Sequence, residues 1–244
     1  MTADAPTRIR VVDFPQVMAG PFCTRLLADV GAEVLKIEPP EGDAMRGRPP
    51  LRDGESAYFG TLNAGKRSVM LDLKTEDGRR DAFCLARSAD VVVENFRPGV
   101  MARLGLGWKA LSEVNPALVY CSISGFGQDG PHSSRPSFDA IAQAASGIME
   151  MTGPADGPPT LAGTTVIDHT TGLHATIGIM AALQARQTTG RGQVVDVALL
   201  DSAVSLLMTA IPTYALLGKT SDRMGNRDRY GAPSNTFPTS DGHW

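Results

Sequence analysis

Short apolar runs alternate with longer segments of helical periodicity through the first half of the chain. The short runs predict strands over residues 8–14, 32–37, 68–73, 91–93 and 118–123. The longer segments predict helices over 20–30 and 76–88, and the first of these places Phe22, Leu26, Leu27 and Val30 on one face. Strands that alternate with helices are typical of a parallel sheet covered on both faces. The pattern therefore predicts an α/β fold.

Stretches rich in glycine, proline and polar residues separate these elements. Residues 39–63 and 127–136 are predicted to be surface loops, and 219–238 a linker. Four elements are predicted between the loop at 127–136 and the linker at 219–238. They are a long helix from Asp168 to about Arg186, a turn at 188–192, a strand at 193–198 and a helix at 200–217.

These segments predict a large α/β domain over residues 1–218 and a linker over 219–244. The chain stops on Ser240-Asp-Gly-His-Trp244, a turn followed by a large aromatic residue. Since natural termini are usually polar and frayed, we expect a chain truncated before a second, smaller domain.

Composition narrows the class of protein. The chain has 244 residues, 42% hydrophobic and 20% charged, with a net charge of −3, which gives no support for a nucleic-acid or membrane-surface partner. The N-terminus lacks the apolar core of a signal peptide, and the most apolar window, 194–217, is interrupted by Asp196, Asp201 and Pro212. The three cysteines (Cys23, Cys84 and Cys121) lack metal-ligand spacing and predict reduced core residues in a cytoplasmic protein.

Asp168 is the most informative candidate residue. It follows the apolar, strand-like Val166-Ile167 and precedes the predicted long helix. A carboxylate at such a junction can act as a nucleophile on an activated acyl group. It can also simply cap the helix, because aspartate is a preferred N-cap residue, and the local pattern favours the cap.

A second candidate lies directly after the predicted strand at 91–93, in Glu94-Asn-Phe-Arg-Pro-Gly99. The carboxyl ends of parallel strands are where open α/β sheets bind ligands. Asn95 and Phe96 offer an amide and an aromatic face, and Arg97 and Arg103 offer charge for a phosphate. A plain loop with solvated arginines is an equally good interpretation.

Three further patterns carry less weight. Gly125-Phe-Gly-Gln-Asp-Gly130 matches a dinucleotide-binding string, but the prolines that follow predict a loop where that site needs a helix. Basic residues near strand ends predict a rim for an anionic ligand, with scattered surface charge as the alternative: Lys36, Arg46, Arg48, Lys66, Arg67 and Lys74. The spacing of His132, His169 and His174 does not suit a metal site.

Seven runs, taken in order, resemble the family III CoA-transferases, such as formyl-CoA transferase and crotonobetainyl/carnitine CoA-transferase. The resemblance covers nearly the whole chain and is carried by residues 12–14 with 19–21, 26–38, 63–68, 94–99, 124–127, 168–172 and 189–197. It implies a Rossmann-like large domain and an interlocked homodimer. It also implies a CoA thioester as substrate, a free carboxylic acid as acceptor and no tightly bound cofactor or metal.

The resemblance also implies roles for individual residues. Asp168 falls at the nucleophilic aspartate, which forms a mixed anhydride and then an aspartyl-CoA thioester. Asp139 falls at an acidic residue that assists catalysis. The remaining matches are to CoA contacts, at Lys74, Asn95, Phe96 and Arg103, and to the loop that lines the site, at Gln16, Val17, Met18 and Ala19.

Two alternatives remain beside CoA transfer. The α-methylacyl-CoA racemases of the same superfamily need an acid/base pair, and they carry a histidine where this chain has Phe138, so transfer is favoured. The chain could also be a fragment that binds CoA without turnover, because the relatives extend beyond the position of Trp244. Gln16 and Met18 replace the histidine and glutamine of the formyl-CoA branch, which argues against formyl and oxalate specificity.

Overall fold

A computed structural model describes residues 8–244. Its strands are β1 (Arg10–Asp13), β2 (Glu33–Glu38), β3 (Leu51–Arg52), β4 (Glu55–Ser56), β5 (Arg67–Met70), β6 (Val91–Glu94), β7 (Val119–Ser124) and β8 (Val194–Ala198). Its helices are α1 (Ala19–Asp29), α2 (Ala57–Asn63), α3 (Glu76–Arg87), α4 (Val100–Arg103), α5 (Trp108–Val114), α6 (Asp139–Ser146), α7 (Ile148–Met151), α8 (Val166–Thr189), α9 (Leu199–Ser205) and α10 (Ala210–Leu217).

Six strands form one parallel sheet in the order β5-β2-β1-β6-β7-β8. A hydrophobic core lies on each face of the sheet. Alternate residues of each central strand pack in different cores, since successive side chains of a strand point to opposite faces. Val91 and Val93 pack with α1 and α8 on one face, and Val92 packs with α3 and α5 on the other. The predicted α/β fold with a Rossmann-like parallel sheet is confirmed.

The strand order reverses between β1 and β6. From β1 the chain builds outward through β2 and β5 on one side, and from β6 it builds through β7 and β8 on the other. The loops that follow β1 and β6 therefore leave the sheet in opposite directions and open a crevice at its carboxyl edge. In open α/β sheets this crevice is where ligands bind.

The predicted surface loop at 39–63 is wrong, because it holds a short 3₁₀ helix (Ala44–Gly47), the β3-β4 hairpin and α2. The Ser56 hydroxyl caps α2 by accepting the Phe59 N–H at 3.1 Å. A buried ion pair between Lys36 and Asp43, 3.0 Å apart, fixes the start of the segment. Its polar composition concealed elements that tertiary contacts stabilise.

The predicted single helix at 200–217 is also wrong, because the chain breaks into α9 and α10, which are bent by 76°. Pro212 lies in the first turn of α10, where its missing N–H costs nothing. In a continuous helix the same proline would clash with the preceding turn. Among residues 8–244 no single helix is long and apolar enough to cross a membrane; α9 and α10 reach that length and apolar composition only when taken together.

Three smaller predictions have mixed outcomes. Residues 127–136 lack regular helix or strand, as predicted. Residues 219–244 also lack it and are mostly exposed, and the domain boundary at 218 stays a prediction. Of the three cysteines, Cys23 and Cys121 are buried, but Cys84 is exposed on α3, so its assignment to the core is wrong.

Candidate active site

Asp168 lies in the first turn of α8, a helix of 24 residues that packs with α1 on one face of the sheet. Thr165 occupies the N-cap position, and Val166, Ile167 and Asp168 are the first three helical residues. The prediction that Asp168 lies at the start of a long helix is confirmed. The strand-like interpretation of Val166-Ile167 and the cap interpretation of Asp168 are both wrong.

The cap comes from another helix. Asp139, the buried first residue of α6, accepts the backbone N–H groups of Ile167 and Asp168 through Oδ1, at 2.7 and 3.0 Å. Its Oδ2 accepts a hydrogen bond from the Gln143 side chain. Three donors thus hold the Asp139 carboxylate, and that carboxylate in turn holds the start of α8.

The carboxylate of Asp168 is in a different environment from that of Asp139. Burial raises its pKa to about 6, the negative charge of Asp139 adds to that rise, and His169 opposes it. No residue in the described range 8–244 donates a hydrogen bond to its oxygens. A carboxylate with few partners is a better nucleophile than one that is fully hydrogen-bonded, and at neutral pH most of it is ionised.

Two cavities meet at Asp168. The first, of about 320 Å³, lies in the crevice at the carboxyl edge of the sheet and is lined by residues that follow β1, β6 and β7, including Gln16–Ala19, Asn95–Arg97 and Gly125. The second, of about 590 Å³, lies on the other side of Val17 and Met18 and reaches Arg48 and Tyr58. Asp168 and Phe138 line both, so one carboxylate faces two compartments.

The loop after β1 is fixed by the residue that follows β6. The Asn95 side chain accepts the Gln16 N–H at 3.0 Å and donates to the Gln16 carbonyl at 2.8 Å. Lys36 adds a hydrogen bond to the Pro15 carbonyl at 2.6 Å. Val17 has a φ of +70°, a strained value for a β-branched residue, which such a network can enforce.

Met18 separates the cavities. The hydroxyls of Tyr58 and Thr165 donate to its sulfur at 3.6 and 2.8 Å. Sequence reasoning missed Tyr58 and Thr165, because both contact Met18 from 40 and 147 residues away in the chain. It also missed Gln143, which lies four residues after Asp139, at the spacing of one helical turn. For Tyr58, the signal in the sequence was Ser56 three residues before Phe59, the pattern of a helix start.

The structure brings most of the predicted site residues together, but not all of them. Gln16 and Phe96 also line a neighbouring cavity of about 190 Å³, where Lys74 lies. Arg103 is exposed on α4, with its guanidinium beside Gly99 rather than in the crevice. The assignment of Arg103 to CoA stays a prediction.

The predicted basic rim is largely wrong. Lys36 is buried against Asp43, and Lys66 is buried against Asp13 at 2.8 Å. Arg46 is bound to Glu38 at 2.7 Å. Hydrogen bonds from Arg46 and Ser68 outweigh burial and lower the pKa of Glu38 to about 2. These cations stabilise the loops around the crevice, and Arg67 pairs with Glu33 on the sheet edge.

Comparison with known proteins identifies the family. The family model for CoA-transferase family III matches residues 7–244. The chain is 46% identical to succinyl-CoA:mesaconate CoA-transferase of Haloarcula hispanica and 45% identical to acetyl-CoA:oxalate CoA-transferase of Acetobacter aceti, with 96% and 95% of this chain covered. It spans 62% and 60% of the length of these relatives.

A solved structure agrees with the sequence relatives. The crystal structure of a CAIB/BAIF family protein from Brucella suis superposes with a TM-score of 0.92 at 40% identity. The match covers 98% of this chain and 65% of that one. The chain therefore belongs to the family III CoA-transferases.

Proposed function

We propose that the protein that carries this chain transfers CoA from an acyl-CoA thioester to a free carboxylic acid, with Asp168 as the nucleophile. The observation that carries the proposal is the position of Asp168: a partly buried carboxylate, without hydrogen-bond donors among the described residues, at the junction of two cavities. One cavity offers room for the thioester arm and the other for the acid.

The reaction needs only acyl exchange. An Asp168 oxygen attacks the thioester carbonyl, the C–S bond breaks, and CoA leaves as a thiolate while a mixed anhydride forms. The thiolate then attacks the Asp168 acyl carbon and releases the first acid, which leaves an aspartyl-CoA thioester. The incoming carboxylate repeats these two steps in reverse and regenerates the Asp168 carboxylate. Each step exchanges activated acyl groups, so the energy of the thioester is kept provided that water is excluded.

We infer that Asp139 positions Asp168 rather than transferring a proton. Both of its carboxylate oxygens are engaged by donors from α6 and α8. A racemase would need two free proton carriers on opposite sides of the substrate. Phe138 has no proton to give, and Asp139 is occupied, so the geometry supports transfer.

The direct test follows the acyl group and its α-hydrogen together. The full-length protein is incubated with an acyl-CoA and an isotopically labelled acid in D₂O, and the products are analysed by mass spectrometry. Label in the new thioester without deuterium at the α-carbon supports transfer. Deuterium at the α-carbon without a new thioester supports the racemase, and CoA binding without either product supports a fragment that does not turn over.

The pH dependence of transfer should follow the Asp168 carboxyl. Because the nucleophile must be ionised, the rate should fall as the pH drops through about 6, well above the range of an ordinary aspartate. The raised pKa also means that the folded state holds the proton more tightly than the unfolded state. The free energy of unfolding should therefore decrease as the pH rises from 3.8 to about 6 on account of this group. A rate that stays constant down to pH 4.5 would contradict the assignment.

Two substitutions of Asp139 separate its effect on the pKa of Asp168 from its role as the cap of α8. Asp139→Asn removes the charge that helps to raise the pKa of Asp168, so the midpoint of the rate profile should move to lower pH. Asp139→Ala also removes the acceptor for two N–H groups of α8 and should cost about 1–2 kcal/mol of stability, the usual effect of losing a cap. If Asp139 were instead an essential proton carrier, Asp139→Asn would abolish transfer at every pH.

The resemblance to interlocked homodimers leads us to propose a dimer for the full-length protein. Three apolar side chains on α8, Leu173, Ile177 and Met180, are 47–64% exposed at helical spacing, and α10 has no buried residue. Exposed apolar area of this kind marks a surface that another part of the assembly covers. We further propose a cytoplasmic location, which the three free cysteines support.

A further inference from the structure

The larger of the two cavities at Asp168 carries one unpaired cation. Its charged lining side chains are Arg48, Asp139 and Asp168. Asp139 is bound by three donors. Among residues 8–244, Arg48 makes no side-chain ion pair or hydrogen bond. One cation and one nucleophilic carboxylate are therefore left to contact a ligand.

Arg48 is held in place by its backbone. Its N–H donates to the Met45 carbonyl at 3.1 Å, and its carbonyl accepts a hydrogen bond from the Ser56 hydroxyl. Arg46, two residues earlier, has its guanidinium bound to Glu38 and stacked 4.0 Å from the Phe59 ring centre. Arg46 therefore stabilises the loop, whereas Arg48 lines the cavity from a backbone that hydrogen bonds hold in place.

Tyr58 lines the same cavity as Arg48 and Asp168. The pKa of its hydroxyl is raised by burial and by the negative charge of Asp168, and Arg48 opposes that rise. Met45 and Leu161 supply apolar wall to the same cavity. The cavity combines a cation, a hydroxyl and an apolar surface on one side of the nucleophile.

We propose that the acid substrate is a dicarboxylic acid, and that Arg48 binds the carboxylate that stays free. This inference rests on the proposed role of Asp168. One carboxylate of the acid reacts at Asp168, and the carbon chain lies along Met45 and Leu161. The second carboxylate pairs with the guanidinium, whose planar donors match a carboxylate in a bidentate manner. A monocarboxylic acid would leave Arg48 unpaired.

The test compares two acceptors that differ only in the remote group. Succinate carries a second carboxylate, and its monoamide, succinamate, replaces that group with a neutral one of similar size. In the full-length protein, Arg48→Gln should lower kcat/KM for succinate by about ten- to hundredfold, as expected for the loss of one charge-assisted contact. The value for succinamate should change by less than about threefold, because no charge is lost there.

Two further variants control the comparison. Arg48→Lys keeps the charge without the planar fork and should recover part of the succinate activity. Arg52→Gln lies on the same segment, where the side chain is 94% exposed and lines none of the cavities around Asp168, and should leave both acceptors unchanged. An equal loss with succinate and succinamate, or no loss with either, would overturn the proposal.

A binding measurement separates this inference from the proposed function. Calorimetric titration of the Asp168→Asn protein with succinate and with succinamate reports on the cavity without turnover. Tighter binding of succinate that disappears in the Asp168→Asn, Arg48→Gln double variant supports the role of Arg48 even if no transfer is found. Equal binding of the two acids to the Asp168→Asn protein argues against it even if Asp168 proves to be the nucleophile.

Discussion

Replacing Asp168 with asparagine should reduce CoA transfer by at least about a thousandfold and leave the fold intact. Removal of a covalent nucleophile has effects of that size or larger. The fold should survive because Asp168 does not cap α8; that task falls to Asp139. At pH 8 the variant should even be the more stable protein, since it no longer buries an ionised carboxylate whose pKa is raised to about 6.

Three measurements define this result. CoA exchange between an acyl-CoA and an acid gives the rate, and titration with CoA should show an affinity within a few-fold of the unmodified protein. Hydroxylamine added during turnover should modify the peptide that contains Asp168, because it traps an activated acyl group.

A matched aspartate supplies the control. Asp201 is exposed in the first turn of α9 and lines none of the cavities around Asp168. Asp201→Asn should leave transfer unchanged. Residual turnover of Asp168→Asn near a tenth of the original rate would rule out the covalent route.

Replacing Gly172 with alanine should destabilise the protein and reduce its activity at the same time. A Cβ at this position would lie 2.8 Å from a ring carbon of Phe22 and 2.9 Å from the carbonyl oxygen of Ala19. The backbone carbonyl cannot move aside as a flexible side chain would, so α1 and α8 must separate. Overpacking of this kind costs about 1–3 kcal/mol, more than the roughly 1 kcal/mol that alanine gains over glycine within a helix.

The separation should also affect the chemistry. Met18 precedes α1 and Asp168 lies in the first turn of α8, so moving the two helices apart should widen the space between the two cavities. Gly60→Ala is the control, because Gly60 lies in α2 with no atom within 4 Å of the added methyl. Urea unfolding should show a lower midpoint for Gly172→Ala and an equal or higher midpoint for Gly60→Ala. A Gly172→Ala protein as stable and active as the original would show that the helices adjust freely.

The sheet was predictable because its strands carry their signal locally. Val91 to Val93 form an apolar run, and the end of that run marked Asn95 and Phe96 as candidates at the carboxyl edge. Asp168 became a candidate because the helical periodicity of the segment up to Arg186 begins close to it. In each case neighbouring residues contain the information, since period and run length are local properties.

What the sequence did not reveal depends on distant partners. The sequence predicts Lys36 and Lys66 to be surface cations, but in the fold they are buried and paired with Asp43 and Asp13. The sequence around Asp168 suggests that this residue caps α8, but the cap is Asp139, 29 residues away, which accepts the Asp168 N–H. Arg48 was one of six similar basic residues, and only the pairing of its neighbours shows that it is the one left over in the larger cavity.

Contacts between early and late segments of the chain determine when the site can fold during synthesis. Met18 meets Thr165, 147 residues further along the chain, and Gln16 meets Asn95 across 79. Such long-range contacts form slowly, and a chain emerging from the ribosome cannot make them until both partners are out. Val91, Val119 and Cys23 share a core cluster with residues of α8, so a nascent chain that lacks this helix leaves part of that apolar cluster uncovered. When α8 is added, it completes that core cluster and places Asp168 where the two cavities meet.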